Sequence, residues 1–155
     1  MKPGIVEGDI LNQPVEVIVN SWNRNIIPWW LLLPQGVSGT IKKRGGRKPF
    51  IELSRYGPIP LGGAVETGPG NLEYKSIIHV AGINLLWFAT RYSIQESVNN
   101  AMNIVNTKHY NSVAFPIIGS GSGNRSRHEA LSIMLEVFEV IESNSEVIIV
   151  QFNRH

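Results

Sequence analysis

The chain contains no cysteine, which removes disulfides, thiolate nucleophiles and cysteine-ligated zinc from consideration. It contains one aspartate, Asp9; every other acidic residue is a glutamate. Charge is sparse, with 14 Lys and Arg against 12 Asp and Glu leaving a net charge of +2. That balance argues against a nucleic acid as the main partner. No apolar run is long: the most apolar stretch, Ile26 to Leu33, is interrupted by Pro28 and falls far short of the roughly 20 residues that span a bilayer. A membrane partner is not expected. The opening Met1-Lys2-Pro3-Gly4-Ile5-Val6-Glu7 lacks the apolar core of a secretory leader, so a cytoplasmic location is the default expectation. There is no internal repeat, low-complexity tract or linker.

What remains fits one domain over residues 1–155. The length is sufficient for a buried core, and a composition 43% hydrophobic and 17% charged is that of an ordinary globule. Val15-Glu16-Val17-Ile18-Val19 reads as a buried strand ending at Asn20. Val37 to Arg44 reads as a short basic helix stopped by Gly45-Gly46. Ser76 to Ala81 is a further apolar strand. Ser93-Ile94-Gln95-Glu96 has capping-box spacing, with Ser93 as the cap, and Ile94, Val98, Ala101, Met102 and Val105 then recur at helical spacing to about Lys108. Val113 to Ile118 is a strand. Ser126-Arg127-His128-Glu129 is a second capping box, followed by Ala130, Ile133, Met134, Val137, Phe138 and Ile141 on one face. Glu146 to Phe152 closes as a strand. Helices alternate with continuous β-branched strands, which predicts a three-layer α/β/α sandwich around a mixed, largely parallel sheet. Ligands in such sheets bind outside the strands' C-terminal ends.

Four segments carry candidate ligand-binding chemistry. Phe115-Pro116-Ile117-Ile118 runs into Gly119-Ser120-Gly121-Ser122-Gly123, a loop of bare N–H groups and hydroxyls just before a helix. It is suited to an anion such as phosphate, or it is simply a turn. Gly36-Val37-Ser38-Gly39 opens a helix and is a second candidate anion cradle. Asn20 and Asn23 flank Ser21-Trp22, with amides that either hold a turn or face a ligand. Asp9, in Gly8-Asp9-Ile10, is either a cap residue or a carboxylate that accepts from a base's exocyclic amine.

Gly8-Asp9-Ile10, Val17-Ile18-Val19-Asn20 with Asn23, Gly36-Val37-Ser38-Gly39, Ile77-Ile78-His79 and Ala114-Phe115-Pro116-Ile117-Ile118-Gly119-Ser120-Gly121 occur in this order. Together they resemble the macro domain family, whose members bind ADP-ribose. The resemblance spans about residues 5 to 152. It implies that Asp9 meets the adenine amino group beside the Ile10 amide, with Phe152 stacked on the base. It implies one phosphate loop at Gly36, Val37, Ser38 and Gly39 and another at Gly119, Ser120, Gly121, Ser122 and Gly123 after Pro116. Asn23, with Asn20, would face the distal ribose. His79 resembles the family's strand histidine and reads as structural. Backbone N–H groups would hold the diphosphate, so neither metal nor cofactor is expected.

The chain also departs from that pattern. Ser38 stands where the family's hydrolase branch commonly has an aspartate, and a hydroxyl cannot serve as a carboxylate base. Gly123 stands where an aromatic often covers the distal ribose. A lysine nucleophile paired with a second-loop aspartate is excluded, since no aspartate follows Asp9. Asn23 and Glu66 are the remaining catalytic candidates; alternation does not fix which way Glu66 points. An insert, Arg24-Asn25-Ile26-Ile27-Pro28-Trp29-Trp30-Leu31-Leu32-Leu33-Pro34-Gln35, replaces a stretch that is glycine-rich in many relatives. It is a core plug, a wall in which Trp22, Trp29 or Trp30 replaces the missing aromatic, or a self-association surface. Lys42, Lys43, Arg44, Arg47 and Lys48 read as cations at a helix C-terminus or as a contact for nucleic acid or an ADP-ribose polymer. The reading that fits most of these features is a module for ADP-ribose or an ADP-ribosylated macromolecule, with nucleic acid entering only as a modified target. The alternative is a hydrolase of ADP-ribosylated protein or nucleic acid, or of O-acetyl-ADP-ribose, with non-standard catalytic residues.

Overall fold

The computed structural model of the chain describes residues 1–32, 36–84, 86, 88–120 and 126–152. Among them, β1 (Gly4–Gly8), β2 (Val17–Trp22), β3 (Ala64–Thr67), β4 (Ser76–Ala81), β5 (Ser112–Pro116) and β6 (Glu146–Phe152) form one sheet. Their spatial order is β1-β6-β5-β2-β4-β3. Five strands run parallel, and β3 pairs antiparallel with β4 at the edge. The α/β/α sandwich expected from the alternation of elements is the fold adopted.

Side-chain alternation divides the core in two. Val17 and Val19 of β2, Ile78 and Val80 of β4, and Phe115 of β5 pack against α3 (Arg91–Thr107) and α4 (Arg127–Glu139). Ile18 and Trp22, Ile77 and Ala81, and Ala114 face the other way. They pack against Ile41 of α1 (Gly36–Gly45) and Phe50 and Leu53 of α2 (Lys48–Ser54), with Ile10 and Leu11 of a short 3-10 turn. The central strands are buried on both faces, which is why they read as unbroken apolar runs.

Several boundaries differ from the sequence-based expectations. β2 begins at Val17 and runs through Asn20 to Trp22, because β4 offers a partner as far as Trp22↔Ala81. β5 ends at Pro116, and the next residues turn at Gly119 (φ 88°). Ser93 does not cap α3. Thr90 does: its side chain accepts from Ser93 N at 3.0 Å, and Ser93 Oγ accepts from Thr90 N at 2.8 Å. The capping box is real but lies three residues earlier. Ser126 does cap α4, accepting from Glu129 N at 3.2 Å. Gly46, at φ 83°, separates α1 from α2. Arg47 and Lys48 therefore stand at the start of α2 rather than at the end of α1. Only Lys42, Lys43 and Arg44 lie in a last helical turn where the dipole favours cations.

Candidate functional site

The parallel strands end along one edge, in the order Gly8, Phe152, Pro116, Trp22, Ala81. From β2 the chain passes through α1 and α2 toward β4. From β5 it passes through α4 to β6 on the opposite side. Neighbouring strands whose connections diverge open a crevice at their C-terminal ends. Here that crevice lies between β2 and β5. Asn23 follows one strand, Ile117 to Ser120 follow the other, and Asp9 and Phe152 lie farther along the same edge.

Gly8 pairs with Phe152, so the first residue after β1 stands beside the exposed end of β6. Asp9 caps the turn Ile10–Asn12 through Oδ1, which accepts from Leu11 N at 2.9 Å. Gln13 Nε2 donates to the Asp9 carbonyl at 2.9 Å, and Tyr74 OH donates to the carbonyls of Ile10 and Gln13 at 3.2 and 3.1 Å. The carboxylate is thus held on a fixed turn. Its Oδ2 accepts from Arg44 Nη1 at 3.0 Å, while Arg44 Nη2 donates to Asn12 Oδ1 at 3.2 Å. Sequence reasoning placed Arg44 only in a basic cluster. The helix that carries it brings it to the one aspartate.

Beyond β2, Asn23 Oδ1 accepts from Asn25 N at 2.7 Å, and among the described residues its amide nitrogen meets no acceptor. Asn25 holds the segment. At φ 62°, its Nδ2 donates to the carbonyls of Leu53 and Gly57 at 2.8 and 2.9 Å, and its Oδ1 accepts from Trp22 Nε1 at 3.2 Å. Arg24 adds a backbone and a side-chain bond to Ile59. The signal for this knot was the Asn-x-Asn spacing, since asparagine tolerates a left-handed backbone and can bond main-chain groups.

The tryptophans in and next to the insert divide. Trp22 is buried and Trp29 half-buried, each packed on Phe50 with ring centroids 5.3 and 6.0 Å apart. Lys42 Nζ lies 5.2 Å from the centroids of both Trp22 and Phe50 and donates to the Trp29 carbonyl at 3.3 Å. Burial pushes the Lys42 ammonium below its ordinary pKa. Within the insert the plug reading therefore describes Trp29, while Trp30, at 67% exposure, faces solvent.

Gly36, Val37, Ser38 and Gly39 form the first turn of α1, the turn whose N–H groups a helix leaves to partners outside itself. Gly36 is at φ 59°. Across the crevice, buried Pro116 leads into a turn in which Ser120 Oγ donates to the Ile117 carbonyl at 3.0 Å. A Cβ on Gly119 would lie 2.5 Å from that of Ala89, so the loop is glycine for reasons of space as well as conformation. Gly121, Ser122 and Gly123 lie outside the described residues, as do Leu33, Pro34 and Gln35 of the insert.

Two candidates are placed elsewhere. Asn20 is fully buried, two residues short of the end of β2, with its Nδ2 3.0 Å from His79 Nδ1. It lies beneath the crevice rather than on its wall. Glu66 lies at the other end of the sheet. Its carboxylate accepts from Ser76 Oγ, at the start of β4, and from Tyr110 OH, both at 2.5 Å, and pairs with Lys108 Nζ at 2.7 Å. Burial raises its pKa, but these donors outweigh that and hold it low. Glu66 is an ion-pair anchor and cannot serve the crevice as a base.

His79 is structural, as read. Asn20 donates to Nδ1, so Nε2 carries the proton and donates to Thr67 Oγ1 at 2.8 Å; Thr67 in turn donates to the Gly68 carbonyl at 3.0 Å. Full burial pushes its pKa down to about 3.

The macro domain family model matches residues 19–134 of this chain. A macro domain-containing protein of Caldanaerobacter subterraneus subsp. tengcongensis is 30% identical over 96% of this chain and 85% of its own length. An O-acetyl-ADP-ribose deacetylase of Klebsiella pneumoniae is 29% identical over 86% of this chain and 77% of its own. Among solved structures, a variant of the Oceanobacillus iheyensis macrodomain with ADPR is 27% identical, with a TM-score of 0.81 over 96% of this chain and 83% of that one. The largely parallel sheet, the crevice between β2 and β5 and the matched segment from Val19 to Met134 in α4 lead to one assignment: the chain belongs to the macro domain family.

Proposed function

We propose that this chain binds ADP-ribose, free or attached to a macromolecule, across the C-terminal edge of its sheet. The observation that carries the reading is the divergence of the chain from the ends of the neighbouring strands β2 and β5, with Asn23 following one and Gly119 and Ser120 following the other. Helix N-termini and glycine-rich turns favour phosphate through exposed N–H groups. In this reading Asp9 and the Ile10 N–H take the base, and Phe152, 59% exposed at the end of β6, stacks on it. Gly36 to Gly39 and the turn after Pro116, continued by Gly121, Ser122 and Gly123, take the diphosphate. The amide nitrogen of Asn23 takes a hydroxyl of the distal ribose.

Relatives named O-acetyl-ADP-ribose deacetylase favour a second reading, hydrolysis in the same crevice. Ser38 is no carboxylate and Glu66 is tied to Ser76, Tyr110 and Lys108 at the other end of the sheet, so neither candidate base among the described residues activates water there, and binding is the leading function. Backbone NMR distinguishes the parts of the site. ADP-ribose should shift the resonances of Asp9, Asn23, Gly36 to Gly39 and Gly119, whereas AMP, which lacks the distal ribose, should leave Asn23 in place. Shifts confined to residues off this edge would refute the proposal. Release of acetate from O-acetyl-ADP-ribose would promote the hydrolase reading.

A further inference from the structure

We propose that Arg127 makes a subsite for a phosphate monoester at the 2′ position of the adenine-bearing ribose, so that the ligands of this crevice include 2′-phosphorylated ADP-ribose. The inference rests on the proposed function, since it concerns the ribose between that site's base and diphosphate ends.

Arg127 opens α4, the helix that follows the turn after Pro116 to which the diphosphate is assigned. Its guanidinium reaches the end of β6, where Nη2 donates to the carbonyl of Phe152 at 3.4 Å. Phe152 is the residue assigned to the base. The side chain therefore runs between the diphosphate end and the base end of the crevice edge, the interval that the ribose joining them spans. In that ribose the 2′ carbon is bonded to the carbon that carries the base, and the diphosphate leaves from the 5′ carbon beyond. A cation held at Phe152 is thus on the 2′ side.

Local structure does not account for an arginine at this position. A cation in the first turn of a helix opposes the dipole, which favours acidic groups there. Arg127 is exposed, and among the described residues no carboxylate forms an ion pair with it, whereas Arg44 and Arg91 are paired with Asp9 and Glu136. The bond to Phe152 uses one nitrogen of the guanidinium, and the planar fork suits two oxygens of one phosphate. A ribose hydroxyl is neutral and calls for no cation. A phosphate monoester at the same position carries a charge of about −1.5 to −2 near pH 7 and does.

The experiment is calorimetric titration of the full chain with ADP-ribose and with 2′-phospho-ADP-ribose, for the wild type and for Arg127→Ala. The wild type should bind the phosphorylated ligand at least as tightly as ADP-ribose. The variant should bind the phosphorylated ligand about fivefold or more weakly and ADP-ribose within about twofold of the wild type, since only the former loses a charge-assisted bond. Retained binding of ADP-ribose also shows that the variant is folded. A wild type that binds the phosphorylated ligand more weakly than ADP-ribose, or a variant that changes both affinities alike, overturns the inference while leaving the proposed function intact. Failure of the wild type to bind either ligand overturns both.

Discussion

Asn20 donates its Nδ2 to His79 Nδ1 across β2 and β4 at 3.0 Å. The bond defines a neutral imidazole at the base of the crevice, with Thr67 on its other nitrogen and Phe50 packed edge-on at 6.0 Å.

Stability should therefore depend on pH through His79. Its pKa is about 3 in the folded protein against an ordinary histidine value of 6.5. Between those values the unfolded chain binds the proton and the folded one does not, so stability is full above about 6.5 and falls as the pH drops. The slope is about 1.4 kcal/mol per pH unit, or about 2 kcal/mol lost by pH 5. Urea unfolding at pH 7 and pH 5 measures this, and His79→Gln should remove most of the difference. An equal loss in the variant would assign the effect to other groups.

Asn25→Ala should cost about 2–3 kcal/mol in the same assay, because it removes two bonds to main-chain carbonyls, orphans the Trp22 indole N–H and leaves a non-glycine residue at φ 62°. Asn25→Gly relieves only the backbone term and should recover about 1 kcal/mol. Near-neutral behaviour of Asn25→Ala would show that the knot does not hold the segment.

Gly119→Ala and Gly57→Ala form a matched pair. Both residues have positive φ, 88° and 69°, but a Cβ at Gly57 meets nothing within 4 Å, whereas one at Gly119 would lie 2.5 Å from the Ala89 Cβ. Gly57→Ala should cost about 1 kcal/mol from the backbone alone, and Gly119→Ala at least about 1 kcal/mol more from the close approach. Equal losses would mean that the crevice loop yields freely.

Lys42→Met keeps most of the stem and removes the charge held between Trp22 and Phe50. The lost cation–π contact is of the order of 1 kcal/mol. The clearer readout is acrylamide quenching of tryptophan fluorescence. It should increase as the Trp29 carbonyl loses its donor, and unchanged quenching would separate Lys42 from the position of the insert.

Elements that satisfy themselves were legible in the chain. β4 and β6 match their expected bounds because unbroken β-branched runs have few alternatives, and Ser126 caps α4 because a cap is a local bond. Features that depend on a distant partner were not. The reach of β2 to Trp22 depends on Ala81, the role of Arg44 on a turn 35 residues away, and the burial of Asn20 on His79. Glu66 shows the same limit: alternation cannot tell which end of a sheet an edge strand's side chain approaches, and Ser76, Tyr110 and Lys108 decide it. At the crevice, the order of motifs marked which strand ends to inspect, and the structure separated Asp9 and Asn23 on the edge from Asn20 beneath it.

Calorimetric titration of the wild-type chain and of Asp9→Ala with ADP-ribose is the most direct measurement of the central claim. The wild type should bind one equivalent with a dissociation constant near ~1 μM, about −8 kcal/mol. Asp9→Ala should weaken binding by about tenfold or more, through the lost charged acceptor. Absence of heat with the wild type at ~100 μM protein, far above that constant, would contradict the account.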